Sequence, residues 1–145
     1  YGHITGEKAV ALGWFRQLVR FCIAENIKLY ILISPVHAQW LEIMWQMKIW
    51  DDYEQWKRDI TRIVESALIE SALDNIVELW DFSGYNSITM EQVPAAGDSI
   101  SRMHWYWEAS HYTRHTGDLM LDRVLRGIKS EGRANFGVRL STDSI

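Results

Sequence analysis

The sequence predicts an α/β protein in which a parallel sheet is flanked by helices. Two short and nearly unbroken apolar runs, Ile27–Ile33 and Ile76–Phe82, have the composition of strands that are buried on both faces. The segments around them carry apolar residues at steps of three and four, which is the period of an amphipathic helix. Because some forty residues separate the two runs, a helical crossover can join them, and strands joined in this way are parallel.

The first helix is predicted over Glu7–Ala24, and the first strand follows almost at once. Asn26 ends the helix, since asparagine tolerates the left-handed conformation. Ser34 and Pro35 end the strand Ile27–Ile33. The apolar stripe of the helix is predicted to comprise Ala11, Phe15, Leu18, Val19 and Cys22.

Two further helices are predicted between the strands. The first is short, and the second begins near Asp51 with Asp52 as its candidate N-cap. A turn at Asp74 and Asn75 then leads into the second strand. The stripes of the two helices are Trp40, Leu41, Met44 and Trp45, and then Tyr53, Trp56, Ile60, Ile63, Val64, Ala67 and Leu68.

The second strand is followed by a long polar stretch, residues 83–101, which is rich in turn formers. Irregular stretches of this length are often functional. The last helix is predicted over Thr113–Gly127, with Ser110 or Thr113 as its cap. Its predicted apolar side comprises Leu121, Val124, Leu125 and Ile128. The tail from Asn135 either adds a short strand or stays irregular.

Two strands give too small a sheet to cover four helices. Sheets in such folds have about five strands. The predicted sheet is therefore incomplete at its amino-terminal side. The sequence begins at Tyr1 and not at Met. We therefore expect residues 1–145 to form a single domain that is the carboxyl-terminal portion of a larger one. Alternatively, a second copy covers the free edge of Ile27–Ile33, and self-association is expected.

The composition excludes some partners. The chain of 145 residues carries 15 basic and 19 acidic side chains, a net charge of −4, and no basic stripe, so we expect no nucleic-acid partner. No apolar run reaches the roughly 18 residues that would indicate a membrane span. The single cysteine, Cys22, lies on an apolar helical face and is predicted to pack in the core.

Polar residues follow both predicted strands. In open parallel sheets, ligands bind beyond the carboxyl ends of the strands. Ser34 and His37 follow the first strand and Asp81 ends the second, so these residues are predicted to contribute to substrate binding. Alternatively, His37 lies at the surface in the first turn of a helix, and Asp81 caps a turn through Ser83.

The segment "HWYWEASHYTRH", residues 104–115, contains three of the five histidines. His111 is the predicted general base, because imidazole titrates near neutral pH and can both take and return a proton. A catalytic histidine needs an acceptor that fixes its tautomer, and Glu108, three positions earlier, is predicted to fill this role. The alternative is a histidine that packs beside Trp107 and Tyr112 and bonds to a backbone carbonyl.

Two other interpretations of this region are disfavoured. His104, Glu108, His111 and His115 are spaced 4, 3 and 4 apart, as metal ligands on a helix would be, but a second Glu-x-x-His is missing and "WYWEAS" is typical of extended chain. His115 is expected to lie away from the other three. No metal and no other cofactor is therefore expected. The letters "GDSI", residues 97–100, match a nucleophile motif, but no buried strand precedes Ser99, so it is not predicted to be the nucleophile.

The block "YWEASHY", followed by "GDLMLDRVL", resembles the carboxyl-terminal part of SGNH (GDSL-type) hydrolases and their acyltransferase relatives. The pair "ILISPVHA" and "LWDFSGYN" resembles a bacterial branch of SGNH-like proteins, and the likeness covers about residues 1–128. This resemblance implies a flavodoxin-like three-layer fold. It also implies a Ser-His-Asp triad in which an Asp-x-x-His pair before the last helix supplies the acid and the base.

Matched to that pattern, His111 is the base and Glu108 replaces the aspartate, which lengthens the acidic side chain. The family's serine follows its first strand, and Tyr1–Lys8 is not a strand followed by Gly-Asp-Ser, so the nucleophile is expected to be missing from this chain. The resemblance implies an esterase or O-acyltransferase that acts on a small molecule or an acylated glycan. Trp107 is predicted to contribute a ring for substrate binding.

The alternative function is a non-catalytic module that binds a glycan or a partner protein through its aromatic residues. The sequence itself leaves the compartment open. The resemblance implies an exported or membrane-anchored intact protein, whose anchor would lie in the missing amino-terminal part.

Overall fold

The computed structural model describes residues 2–128 and 135–144. Over this part of the chain the protein is mixed α/β, as predicted. The helices are α1 (Gly2–Ala24), α2 (Ala38–Gln46), α3 (Trp50–Ser71) and α4 (Arg114–Arg126), with a short 3-10 helix at Thr142–Ser144. The strands are β1 (Leu29–Ile33), β2 (Val77–Asp81), β3 (Tyr106–Glu108), β4 (His111–Tyr112) and β5 (Val138–Arg139).

Three strands form one sheet in the order β1-β2-β5. β1 and β2 are parallel, as predicted: the Leu29 N–H donates to the Ile76 carbonyl, and the Phe82 N–H donates to the Ile33 carbonyl. The tail supplies β5, which is one of the two possibilities that the sequence left open, and it makes the sheet mixed, so the predicted parallel arrangement holds for β1 and β2. In the described sheet β1 lies at one edge.

The helix boundaries follow the predicted signals except at the starts of α1 and α3, and α1 begins at Gly2 instead of Glu7. Asn26, at φ 54°, stands in the left-handed conformation just after α1. Thr113 is the N-cap of α4, and Gly127, at φ 66°, ends it. α3 begins at Trp50, so Asp52 lies in its first turn and is not the cap. There its carboxylate still interacts favourably with the helix dipole.

The chain divides into two compact units, of which the first comprises residues 2–31, 51–79 and 139–144. In this unit α1 and α3 run in the same direction, since Lys8 pairs with Asp59 and Arg20 pairs with Glu70. Cys22 is buried, as predicted. The predicted α1 stripe is partly wrong. Val19 and Cys22 are buried, whereas Ala11 and Leu18 are exposed.

The second unit comprises residues 32–50, 80–128 and 135–138. The inward side of α4 is formed by Thr116, Met120 and Val124, whereas Leu121 and Leu125, which were predicted to be on the apolar side, are exposed. No described helix combines the length and apolar character that a membrane crossing requires. The core of the second unit is formed by Phe82, Ile88, Tyr106, Met120, Val124 and Phe136.

Candidate functional site

The segment before α4 is a β-hairpin of the second unit. β3 pairs antiparallel with β4, and Glu108 is directly opposite His111 in the register. Side chains of directly opposite residues project from the same face of a strand pair. The turn at Ala109 and Ser110 therefore brings the two predicted catalytic side chains together, which three residues of sequence separation alone did not guarantee.

The hairpin is anchored next to the chain that follows β1. The hydroxyl of Tyr106 is buried and donates to the Pro35 carbonyl at 2.7 Å. Burial, and the nearby Glu91 carboxylate, raise the pKa of Tyr106, so the hydroxyl stays protonated and can donate. The His37 N–H donates to the Ala109 carbonyl at 3.0 Å. The hairpin turn is thus fixed beside the carboxyl end of β1.

The loop after β2 contacts the chain that follows β1. The Ala38 N–H donates to the Thr89 carbonyl at 2.8 Å. Thr89 is fully buried, and its hydroxyl donates to the Gly84 carbonyl. Residues 83–101 contain neither helix nor strand, as predicted. The chain after β1, the loop after β2 and the hairpin therefore converge, which is the arrangement that a site at the strand ends requires.

Glu108 and His111 form an acid–base pair in this hairpin. Nδ1 of His111 contacts Oε1 of Glu108, and the Ser110 hydroxyl donates to the same oxygen at 2.7 Å. The proton on the ring is therefore assigned to Nδ1. No described residue bonds to Nε2, and the side chains of His111 and Glu108 are 78% and 55% exposed. The pair faces solvent, with one basic nitrogen free.

The hairpin turn keeps Glu108 ionised. The Ser110 hydroxyl and backbone N–H, followed by the His111 ring, hold the pKa of Glu108 at about 2, below its ordinary value of 4.5. Each of these groups donates to the charged form of the carboxylate and so favours it. Since the pKa is lowered in the folded protein, the stabilisation that these contacts give is fully present above pH 4.5. It is lost as the pH falls through about 2, where the carboxylate takes up a proton.

Replacing Ser110 with alanine is expected to raise the pKa of Glu108, because the largest cause of its depression is removed. His111→Asn removes a smaller cause and should raise this pKa less. The measurement is an NMR titration of the Glu108 side-chain carboxyl carbon between pH 1.5 and 7 in the three proteins. An equal or larger shift in His111→Asn would show that the histidine, not the serine, dominates.

A cavity of about 390 Å³ lies beside Glu108, the acid of the pair, and His111 is not among its lining residues. Glu108 and Trp107 contribute to its lining, and Trp107 is 75% exposed. The lining combines aromatic and polar side chains, because Gln39, Asp98 and Arg102 line the cavity together with the indole of Trp107. Aromatic and planar polar groups together can hold an uncharged ring that carries hydroxyls. The predicted substrate residue Trp107 therefore lies at a cavity next to the predicted acid.

His37 lies near the site but has a different role from the predicted one. It is buried and is the N-cap of α2. Its Nδ1 accepts the Gln39 N–H at 3.2 Å, and its Nε2 donates to the Glu91 carbonyl at 2.8 Å. Both ring nitrogens are therefore occupied, which leaves neither for a substrate. The surface alternative is also wrong, since the ring packs edge-on against Tyr106.

The other predicted residues are placed as follows. Ser34 is exposed after β1. Asp81 shows the turn-capping contacts, because its Oδ1 accepts the Ser83 N–H at 2.8 Å and the Ser83 hydroxyl at 2.6 Å. His115 was predicted to lie away from the other residues of this segment, and this is wrong: its ring stacks on that of His104 with centroids 5.0 Å apart. The described residues contain no group of three or more His, Cys, Asp or Glu that could hold a metal ion.

Sequence reasoning missed two acidic residues of this region. The Glu91 carboxylate accepts the N–H groups of His104 and Trp105 at 2.5 and 2.8 Å and so fixes the entry of the hairpin. Asp98, in "GDSI", accepts the N–H groups of the second and third residues after it, at 2.9 Å each. These bonds, with the Ser101 hydroxyl contributing most, lower the pKa of Asp98. "GDSI" is thus a turn at the cavity, and Ser99 lies within it.

No family model, no curated protein and no solved structure matches this chain. The site offers an ionised carboxylate, a histidine with a free ring nitrogen and an aromatic cavity wall. Together these groups can move a proton beside a bound molecule.

Proposed function

We propose that this chain supplies the acid and the base of an SGNH-like esterase or O-acyltransferase. The observation that carries the proposal is the contact between Glu108 and Nδ1 of His111, which leaves Nε2 exposed. A Ser-His-acid triad needs this orientation, because the carboxylate fixes the tautomer and the other ring nitrogen faces the nucleophile.

In the proposed reaction, Nε2 of His111 accepts the proton of a serine hydroxyl while the serine oxygen attacks the acyl carbon. The ester C–O bond then breaks, and the imidazolium returns the proton to the leaving alkoxide, which departs as an alcohol. Water, or the hydroxyl of an acceptor, repeats these steps on the acyl-enzyme. Glu108 stays ionised throughout, in keeping with its pKa of about 2, and stabilises the imidazolium.

The nucleophile is proposed to lie on a segment outside this chain. Among the described residues, the serine that contacts the His111 ring is Ser110, and it contacts Nδ1, the nitrogen that Glu108 occupies. A serine that served as nucleophile would instead face Nε2. Ser110 already donates its hydroxyl proton to Glu108, so its role is to hold the carboxylate.

The proposed fold of the intact domain is the flavodoxin-like three-layer type, with this chain as its carboxyl-terminal portion. The position of β1 at the edge of the described sheet supports this, since a parallel strand with an unpaired edge invites a neighbour. Earlier strands would pair there and carry the nucleophile to the carboxyl ends of β1 and β2. They would also shield the exposed Glu108–His111 pair from water, which strengthens its electrostatic interaction.

The proposed substrate is a small acylated molecule or an acylated glycan, bound in the cavity beside Glu108. Trp107 supports this, because an exposed indole can stack on the apolar face of a sugar ring. The same observation supports a second candidate function, a non-catalytic module that binds a glycan or a partner protein. The two candidates differ in whether a reactive serine exists in the intact protein.

A fluorophosphonate probe separates these functions. We expect the probe to label the intact protein, and peptide mass spectrometry should place the adduct on a serine outside residues 1–145. A folded intact protein that is not labelled would reject the esterase and favour the binding module. An adduct on Ser99 or Ser110 would contradict the proposed position of the nucleophile. Heat-denatured protein serves as the control for nonspecific labelling.

A further inference from the structure

One side of α1 is an exposed apolar stripe, which we define as Val10, Trp14, Leu18 and Phe21. These four side chains are 49–67% exposed. They lie on a different side of α1 from its buried residues, Val19, Cys22 and Ile23. Contiguous apolar exposure of this kind marks an interaction site more often than isolated exposed residues do.

The spacing within the stripe favours a helix as the partner. Ala11, which is also exposed, and Trp14, Leu18 and Phe21 follow at steps of three, four and three. This is the repeat of apolar positions by which one helix packs along another. A strand or an irregular loop would not require this spacing.

The chemistry of the stripe favours a second copy of the same helix. Arg16 and Arg20, the charged residues of α1 between positions 10 and 21, lie instead in the groove that α1 forms with α3. Arg20 is paired there with Glu70 at 2.8 Å. The stripe is therefore uncharged between positions 10 and 21. Two such stripes can meet about a two-fold axis with no charged residue inside the contact, and Glu7 and Glu25 lie beyond its two ends.

The area is also of the right order for part of a dimer interface. An aromatic side chain buries about 150–250 Å², so the exposed parts of Trp14 and Phe21 alone supply roughly 200–300 Å². Val10 and Leu18 bring the stripe to about half of the ~800 Å² that each partner of a stable interface buries.

We propose that α1 is the interface of a homodimer, in which two copies of the helix pack antiparallel about a two-fold axis. In this arrangement Trp14 of one copy packs on Leu18 of the other, and Val10 packs on Phe21. The site at the hairpin takes no part in this contact. The inference therefore does not depend on the proposed chemistry.

The test is the mass of the protein in solution, measured by sedimentation equilibrium between 1 and 200 μM. The wild-type chain is expected to be a dimer. The double variant Trp14→Glu, Phe21→Glu should be monomeric, with the dissociation constant raised at least ~100-fold, because removal of each aromatic anchor of an interface costs about tenfold or more. Since both side chains are largely exposed, circular dichroism should show an unchanged fold.

Two control variants keep the test specific to α1. Ile69→Glu alters an exposed apolar residue of α3, and Leu125→Glu alters one of α4. Both are expected to leave the dimer intact. The proposal is overturned if the wild type is a monomer at every concentration. A monomer that binds phosphatidylcholine vesicles through the stripe would overturn it too. It is equally overturned if Leu125→Glu dissociates the assembly, or if an open series of oligomers forms, since a two-fold contact closes at two copies.

Discussion

Replacing His111 with alanine is expected to reduce the rate of fluorophosphonate labelling of the intact protein by at least ~10³-fold. General-base catalysis alone contributes about 10²–10⁴-fold, and a serine without its base is largely unreactive. The expectation depends on the free Nε2 of His111, since no other described imidazole contacts a carboxylate side chain in this way. The measurement is the second-order rate constant of labelling at pH 7.5.

The matched control is His104→Ala, which removes another exposed histidine of the same segment. Its ring stacks on His115 and packs edge-on against Trp105. This variant should label at close to the wild-type rate. Glu108→Gln should lie between the two, because the amide keeps a hydrogen-bonding group but loses the charge that stabilises the imidazolium. If His111→Ala is labelled at the wild-type rate, His111 is not the general base.

The sequence was sufficient for the elements whose signal is local. Apolar runs located β1 and β2, and the crossover length predicted that they are parallel. Asn26 and Gly127 marked the ends of α1 and α4, because a left-handed residue after a helix is a property of that residue itself. The extended reading of "WYWEAS" is confirmed by the hairpin, and Glu108 lies opposite His111.

The side of each helix that is buried could not be predicted in the same way. α1 carries apolar residues on two sides, and periodicity does not tell which of them meets the core. Leu18 was assigned to the buried stripe but is 49% exposed, whereas Val19, one position later, is fully buried. In α4 the inward side includes Thr116, whose hydroxyl donates to the Trp105 carbonyl at 2.8 Å. A polar residue that is satisfied by a distant carbonyl has no apolar signature.

The anchoring of the site was invisible for a related reason. Glu91 and His37 lie 54 positions apart, and each acts through bonds to backbone groups of other segments. Such bonds are decided by the tertiary fold, since nearly every buried polar group must find a partner somewhere. His37 was predicted to bind substrate because of where it follows β1. That position is also where a helix begins, and the demand for an N-cap determined its role.

Replacing Gly137 with alanine is expected to destabilise the second unit strongly, by about 3–5 kcal/mol. Gly137 has φ 83°, a conformation that carries a steric cost of roughly 1–2 kcal/mol for a residue with a Cβ. A Cβ there would lie 2.4 Å from a ring carbon of Phe82. Real Cβ atoms essentially never come so close to another atom, so either the ring or the chain must move.

The Phe82 ring has little freedom to move away. It is fully buried and packs against Phe136 with ring centroids 5.0 Å apart. Overpacking of such a core forces side chains from their preferred rotamers and shifts the backbone. The clash therefore adds to the conformational cost, and the loss should be seen as a lower midpoint of urea unfolding with a similar slope.

Gly84→Ala separates the two contributions. Gly84 has φ 89°, close to that of Gly137, but a Cβ there would meet no atom within 4 Å. This variant should lose only the conformational part, about 1–2 kcal/mol. Phe82→Leu in the Gly137→Ala background should then cost less than in the wild type, because the shorter side chain makes room for the methyl group. If Gly84→Ala and Gly137→Ala destabilise equally, the ring of Phe82 does not contribute, and the close approach of the tail to β2 would have to be revised.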